Sequence, residues 1–214
     1  MQRRTVARVT TSAQLLAHNG DLWAALTSHP FVVDAANGTL PRETFDRWLV
    51  DDHFYVVEFR RFLATLTAQA PTEQARDLLA GALVPLQAEL DLFRHEVIGR
   101  GIRLSGEPCP TTLGYSAYLH ACALDGYSVG LTALYAAEKA YFDAWSAVRA
   151  RAEPNSPYWP FIDNWSSAAF GQWVVDVGAL LDDEPLSDAL RRTFRRVVRF
   201  ERRFWDAVYV GEQW

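Results

Sequence analysis

The chain has 214 residues, half of them hydrophobic, which at about 150 residues per domain accommodates one large globular domain. Twenty-one basic residues against 26 acidic ones leave a net charge of −5, which argues against a general nucleic-acid binder, because such proteins carry a basic face. No run reaches the ~20 apolar residues of a membrane span, the basic opening MQRRTVARVT leads into no apolar stretch that reads as a signal peptide, and Cys109 and Cys122 are too few for a disulfide framework, so a cytoplasmic protein is expected.

Prolines mark the joints between segments whose apolar residues recur every three or four positions, the signature of amphipathic helices. Residues 12–28 read as the first helix, with Leu15, Leu16, Leu22, Trp23 and Leu26 on its apolar side. Pro30 is a joint, and Gly38-Thr39-Leu40-Pro41 is a turn whose proline suits a first helical position. A long helix then runs to about Ala70. Residues 72–101 follow, with Thr72 as cap and Pro85 as a kink or break. Residues 111–124, 128–150, 161–181 and 187–211 complete the set. No useful β-alternation, repeat or linker interrupts it, so the expected architecture is all-α: one bundle of about seven or eight helices spanning 1–214. Eight tryptophans are several times the usual share and fit either a well-filled core or an aromatic-lined pocket.

Four constellations carry possible chemistry. Asp52 and Tyr55 are three residues apart, on one helical face with Phe45, Trp48 and Phe59 nearby. A carboxylate on that face must find donors; the plainer reading pairs it on the surface with Arg47 or Arg60. Glu138 lies in the apolar stretch LTALYAAEKAYFDAW, with Tyr141 and Phe142 on its own side. Glu201 shares a face with Phe204 and Trp205, amid arginines able to pair with it. Tyr115 and Cys122 lie on one stripe about 10 Å apart, with Tyr118 between them. Cys122 on that stripe is either a nucleophile or, far more simply, a small residue packing helices. The histidines are His18, His29, His53, His95 and His120; Glu89 and His95, six apart, fall on opposed helix faces and make a poor ligand pair for a di-iron site, so no metal and no cofactor is expected.

The order and spacing of several short motifs resemble the TenA family, the thiaminase II and aminopyrimidine aminohydrolase proteins of thiamin salvage. These are His29-Pro30-Phe31-Val32, Gly38-Thr39-Leu40-Pro41, the Asp-x-x-Tyr of Asp52 and Tyr55, Pro110-Thr111 with Tyr115, Asp125-Gly126-Tyr127, Phe200-Glu201-x-x-Phe204-Trp205 and Gly211-x-x-Trp214. The resemblance implies the heme-oxygenase-like all-α fold and a homotetramer. It makes Asp52 the residue that binds the ring nitrogen and exocyclic amine of a 4-aminopyrimidine, Tyr55 and Tyr115 its tyrosines, Phe204 its stacking aromatic and Glu201 its general acid/base. Trp165 stands where the family often has tyrosine, and Asp51 where it commonly has glutamine; neither Asp51 nor His53 is given a role.

Glu138 falls where the thiaminase II branch has its nucleophilic cysteine. A carboxylate is a far poorer nucleophile than a thiolate towards a heteroaromatic carbon, so the resemblance is to the branch acting on 4-amino-5-aminomethyl-2-methylpyrimidine or its N-formyl derivative. C–N hydrolysis with Glu138 and Glu201 as acid and base is the expected reaction. Cleavage of thiamin itself, or a non-catalytic pyrimidine-binding or regulatory role without direct DNA contact, are the alternatives.

Overall fold

The computed structural model describes residues 9–104 and 107–214; the basic start 1–8 lies outside them. The described residues form eleven helices, and no helix among them is long and apolar enough to cross a membrane. The all-α expectation therefore holds, while three of the expected helices are each divided in two.

The segment 12–28 becomes α1 (Thr11–Ala17) and α2 (Gly20–Thr27). The break falls at Asn19, whose side-chain amide turns back to donate to the Leu15 carbonyl, the competition with helix geometry for which asparagine is known. Pro30, expected only as a joint, opens α3 (Pro30–Asn37): the His29 ring accepts from the Phe31 N–H, and Gly38, at φ 69°, closes the helix. Next come α4 (Arg42–Gln69) and α5 (Glu73–Gly81), the latter capped by Thr72. The following break lies at Ala82, not at Pro85. Pro85 is the third residue of α6 (Leu83–Arg100), where its missing N–H has no helical partner to lose. Finally, 161–181 resolves into α9 (Trp159–Trp165) and α10 (Ala168–Asp182), because Ser167 leaves the first helix and accepts from the Phe170 N–H to cap the second.

Three elements complete the bundle: α7 (Pro110–Leu124), α8 (Tyr127–Arg149) and α11 (Asp188–Val210). Helix α8 is the central element, packed against α3, α7, α9, α10 and α11. Its run of Gly130, Ala133, Ala136, Ala137, Ala140 and Ala144 lets neighbours approach closely. At Gly130 a Cβ would stand 2.8 Å from Leu66 Cδ1 and 3.3 Å from the Ala123 backbone, so a larger residue would force the Leu66 side chain to move. Around α8 the aromatic core interlocks: ring centroids of Trp48, Trp145 and Trp165 lie 5.3–5.8 Å apart, the offset and edge-on spacing aromatic pairs prefer.

Candidate active site

Helical periodicity puts Asp52, Tyr55, Val56 and Phe59 of α4 on one inward face. Ala137, Glu138 and Tyr141 of α8, Leu86 and Glu89 of α6, and Trp165 at the end of α9 close on that face. Together these ten side chains line a tight chamber with a cavity volume of about 30 Å³. Of the residues singled out in the sequence, Asp52, Tyr55, Glu138 and Trp165 line this chamber.

Asp52 is 1% exposed, and neither arginine considered as its partner reaches it. Arg47 spends its guanidinium on the Val208 and Tyr209 carbonyls and the Thr44 hydroxyl, and Arg60 donates to Gln87. Asp52 is held instead by a relay in which the Trp48 indole donates to the Tyr141 hydroxyl at 3.1 Å, and that hydroxyl donates to Asp52 Oδ1 at 2.6 Å. Oδ2 has no partner. Burial first, and then the charges of Glu89 and Asp51, raise the Asp52 pKa well above the carboxylate range despite the tyrosine hydrogen bond. One oxygen is thus fixed, and the other is free to meet a ligand.

Glu201 lies behind this wall. The Tyr115 hydroxyl donates to its Oε1, its Oε2 is unpartnered, and the arginines beside it in sequence point outward. Burial pushes its pKa up to about 8, the Tyr115 bond opposes the rise, and Asp52 and Glu138 add to it. Glu138 is also driven up to about 8, by burial and then by Glu89, against the pull of the Trp173 indole. The two glutamates thus share one electrostatic neighbourhood with Asp52, although Glu201 does not line the chamber. Tyr55 bridges the two regions: it lines the chamber, and its ring centroid stands 5.0 Å from that of Tyr115. Phe204 is not in the chamber wall either; it packs behind Tyr55, with centroids 6.2 Å apart.

Two polar chamber residues, Tyr141 and Glu89, are not among the site residues the sequence suggests. Tyr141 was noted only as a neighbour of Glu138. Glu89 was weighed only as a metal ligand, yet it is 7% exposed, accepts from the Asn164 amide at 3.1 Å, and has its pKa raised to about 7 by burial. Its signal was the same as that of Glu138, an acid set in an apolar stripe (Leu86, Leu90, Phe93, Val97). Among the described residues no three His, Cys, Asp or Glu side chains gather with metal-binding geometry.

Three other residues lie outside the chamber. Asp51 accepts from the Cys109 N–H and ties α4 to the start of α7. His53 stacks edge-on against Phe54 and Phe93. Cys122 is buried, and burial pushes its thiol up to about 11.

The bundle has the heme-oxygenase-like fold. It superposes with a TM-score of 0.72 on a domain of that fold and unknown function from Shewanella denitrificans, 15% identical, covering 92% of this chain and 91% of the other. More specifically, residues 17–211 match the TENA/THI-4/PQQC family, and the chain belongs to it. A TenA homologue from Pyrococcus furiosus superposes with a TM-score of 0.89 at 34% identity, over 93% of this chain and all of that one. The curated relative named aminopyrimidine aminohydrolase from Halalkalibacterium halodurans is 27% identical over 95% of this chain and 97% of its own length.

Proposed function

We propose that the chain is an aminopyrimidine hydrolase of thiamin salvage, acting on 4-amino-5-aminomethyl-2-methylpyrimidine or its N-formyl derivative, with Glu138 in the position of the thiaminase nucleophile. The observation that carries this reading is Asp52: a buried carboxyl with one oxygen held by Tyr141 and the other unpartnered in an aromatic chamber. A 4-aminopyrimidine presents a ring nitrogen beside an exocyclic amine. A carboxyl with a raised pKa matches that pair, sharing a proton with the ring nitrogen while accepting from the amine. The indole of Trp165 and the phenol of Tyr55 provide flat walls for the ring.

Hydrolysis of the aminomethyl compound adds water across the exocyclic C–N bond, leaving an alcohol and ammonia; the N-formyl compound gives the free amine and formate. Either reaction needs a base for water and a proton for the leaving nitrogen. Glu138 and Glu201, both near pKa 8, hold protons at neutral pH while remaining able to release them. In this reading Glu201 donates the proton, with Tyr115 orienting it, and Glu138, facing the chamber, activates water once ionised. The name of the Halalkalibacterium relative supports the same substrate class.

The test is incubation with thiamin, the aminomethylpyrimidine and the N-formyl derivative, with product identification. Turnover of either pyrimidine, and a Kd raised at least tenfold in Asp52→Asn, is the expected result. Rapid cleavage of thiamin would replace this reading with the thiaminase one, and binding without turnover of any of the three would replace it with a ligand-binding role.

A further inference from the structure

A second, larger cavity of about 610 Å³, open to solvent, adjoins the chamber. The two share Leu86, Glu89 and Glu138 in their walls, so the paired glutamates form the throat between them. The mouth is built from two of the breaks that split the expected helices: Gly81 and Ala82 between α5 and α6 on one side, Asn164 and Ser167 between α9 and α10 on the other. Asp77 and Asp176 line its outer part. Among the described residues four carboxyls therefore face this cavity, and no lysine, arginine or histidine does. The inner chamber likewise holds Asp52, Glu89 and Glu138 without a basic residue. Wherever these carboxyls are ionised, they lower the energy of a cation along the path. Glu89 is buried and held in place by Asn164, and it makes no ion pair among the described residues.

We propose that Glu89 is a specificity-determining residue: with the ring anchored at Asp52, the ring's substituent points into the throat, and Glu89 selects substituents that carry a primary ammonium over neutral ones. This rests on the aminopyrimidine reading above and adds to it a preference between the two substrates. Asp52 lines the inner chamber and Glu89 the wall common to both cavities, so a ligand spanning from one cavity to the other passes Glu89. The ammonium completes the ion pair Glu89 lacks, and its charge favours the ionised form of a carboxyl that burial otherwise holds near pKa 7. Asp77 and Asp176 extend the same preference outward, drawing the ammonium-bearing molecule to the mouth.

The test uses binding, because it needs no turnover. In a Glu201→Gln background, which retains the ligand unreacted, tryptophan fluorescence reports affinity through Trp165 and Trp173 in the two walls. The ligands are the aminomethylpyrimidine and its neutral hydroxymethyl counterpart. With Glu89 present, the ammonium ligand should bind at least tenfold more tightly than the neutral one. Glu89→Gln, which retains an oxygen for the Asn164 amide, should abolish that preference while changing the neutral ligand's affinity less than threefold. A preference that survives Glu89→Gln, or a parallel loss for both ligands, overturns the inference alone. Binding of neither ligand by the Glu89-containing protein overturns the aminopyrimidine reading, and this inference with it.

Discussion

Replacing Glu201 by glutamine separates a catalytic carboxyl from a structural one, because the two roles predict opposite changes in stability. In the folded chain this carboxyl titrates at about 8 in place of 4.5. At about 1.4 kcal/mol for each tenfold change in proton affinity, that amounts to about 5 kcal/mol as an upper bound. The penalty is shared among the coupled carboxyls of Asp52, Glu138 and Glu201 rather than carried by one group, so about 2 kcal/mol is expected in practice. The sign follows from linkage: a raised folded pKa leaves stability intact below the unfolded value near 4.5, and the penalty grows as pH rises through about 8. Glutamine carries no such penalty, and its carbonyl still accepts from the Tyr115 hydroxyl. Glu201→Gln should therefore melt within about 2 °C of the native protein at pH 5 and about 4–8 °C above it at pH 9, at about 2–4 °C per kcal/mol for a chain of this size. Turnover of the aminopyrimidine should fall at least 10²-fold, the usual contribution of a positioned proton donor. Differential scanning calorimetry at the two pH values and single-substrate kinetics are the assays. A variant less stable than the native protein at pH 9, or equally stabilised at both pH values, would refute the electrostatic reasoning; retained turnover would remove Glu201 from the chemistry.

Two further outcomes are expected. Tyr141→Phe deletes the hydroxyl that both accepts from Trp48 and donates to Asp52, leaving two buried polar groups short of a partner at a cost of about 1–3 kcal/mol; thermal melts should show the loss, and the KM for the aminopyrimidine should rise as Asp52 loses its orientation. Cys122→Ala should keep kcat within about twofold, since a thiol held near pKa 11 by burial supplies almost no thiolate at neutral pH; a fall of 10²-fold or more would make it the nucleophile after all.

The sequence alone determined the helical content, because apolar residues at three- and four-residue spacing bury one face of a helix, and the same periodicity put Asp52 and Tyr55 on one face and Glu138 in an apolar stripe, without deciding between a surface or structural ion pair and a site. Each of these is a property of one helix. Its order of short motifs also pointed to the family. What it left undecided depends on neighbours far along the chain. Whether Asp52 meets an arginine or a tyrosine is settled only when α8 brings Tyr141 against α4, 89 residues away in sequence. The tryptophans answer both expectations at once, Trp48 and Trp145 filling the core while Trp165 faces the chamber. Helix breaks at Asn19, Ala82 and Ser166 escaped a periodicity that runs through them nearly in phase, and two of those breaks shape the mouth of the site. Glu89 belongs to the site only because α6 packs on α4 with that turn facing Glu138, a relation between surfaces that spacing within a single helix cannot encode.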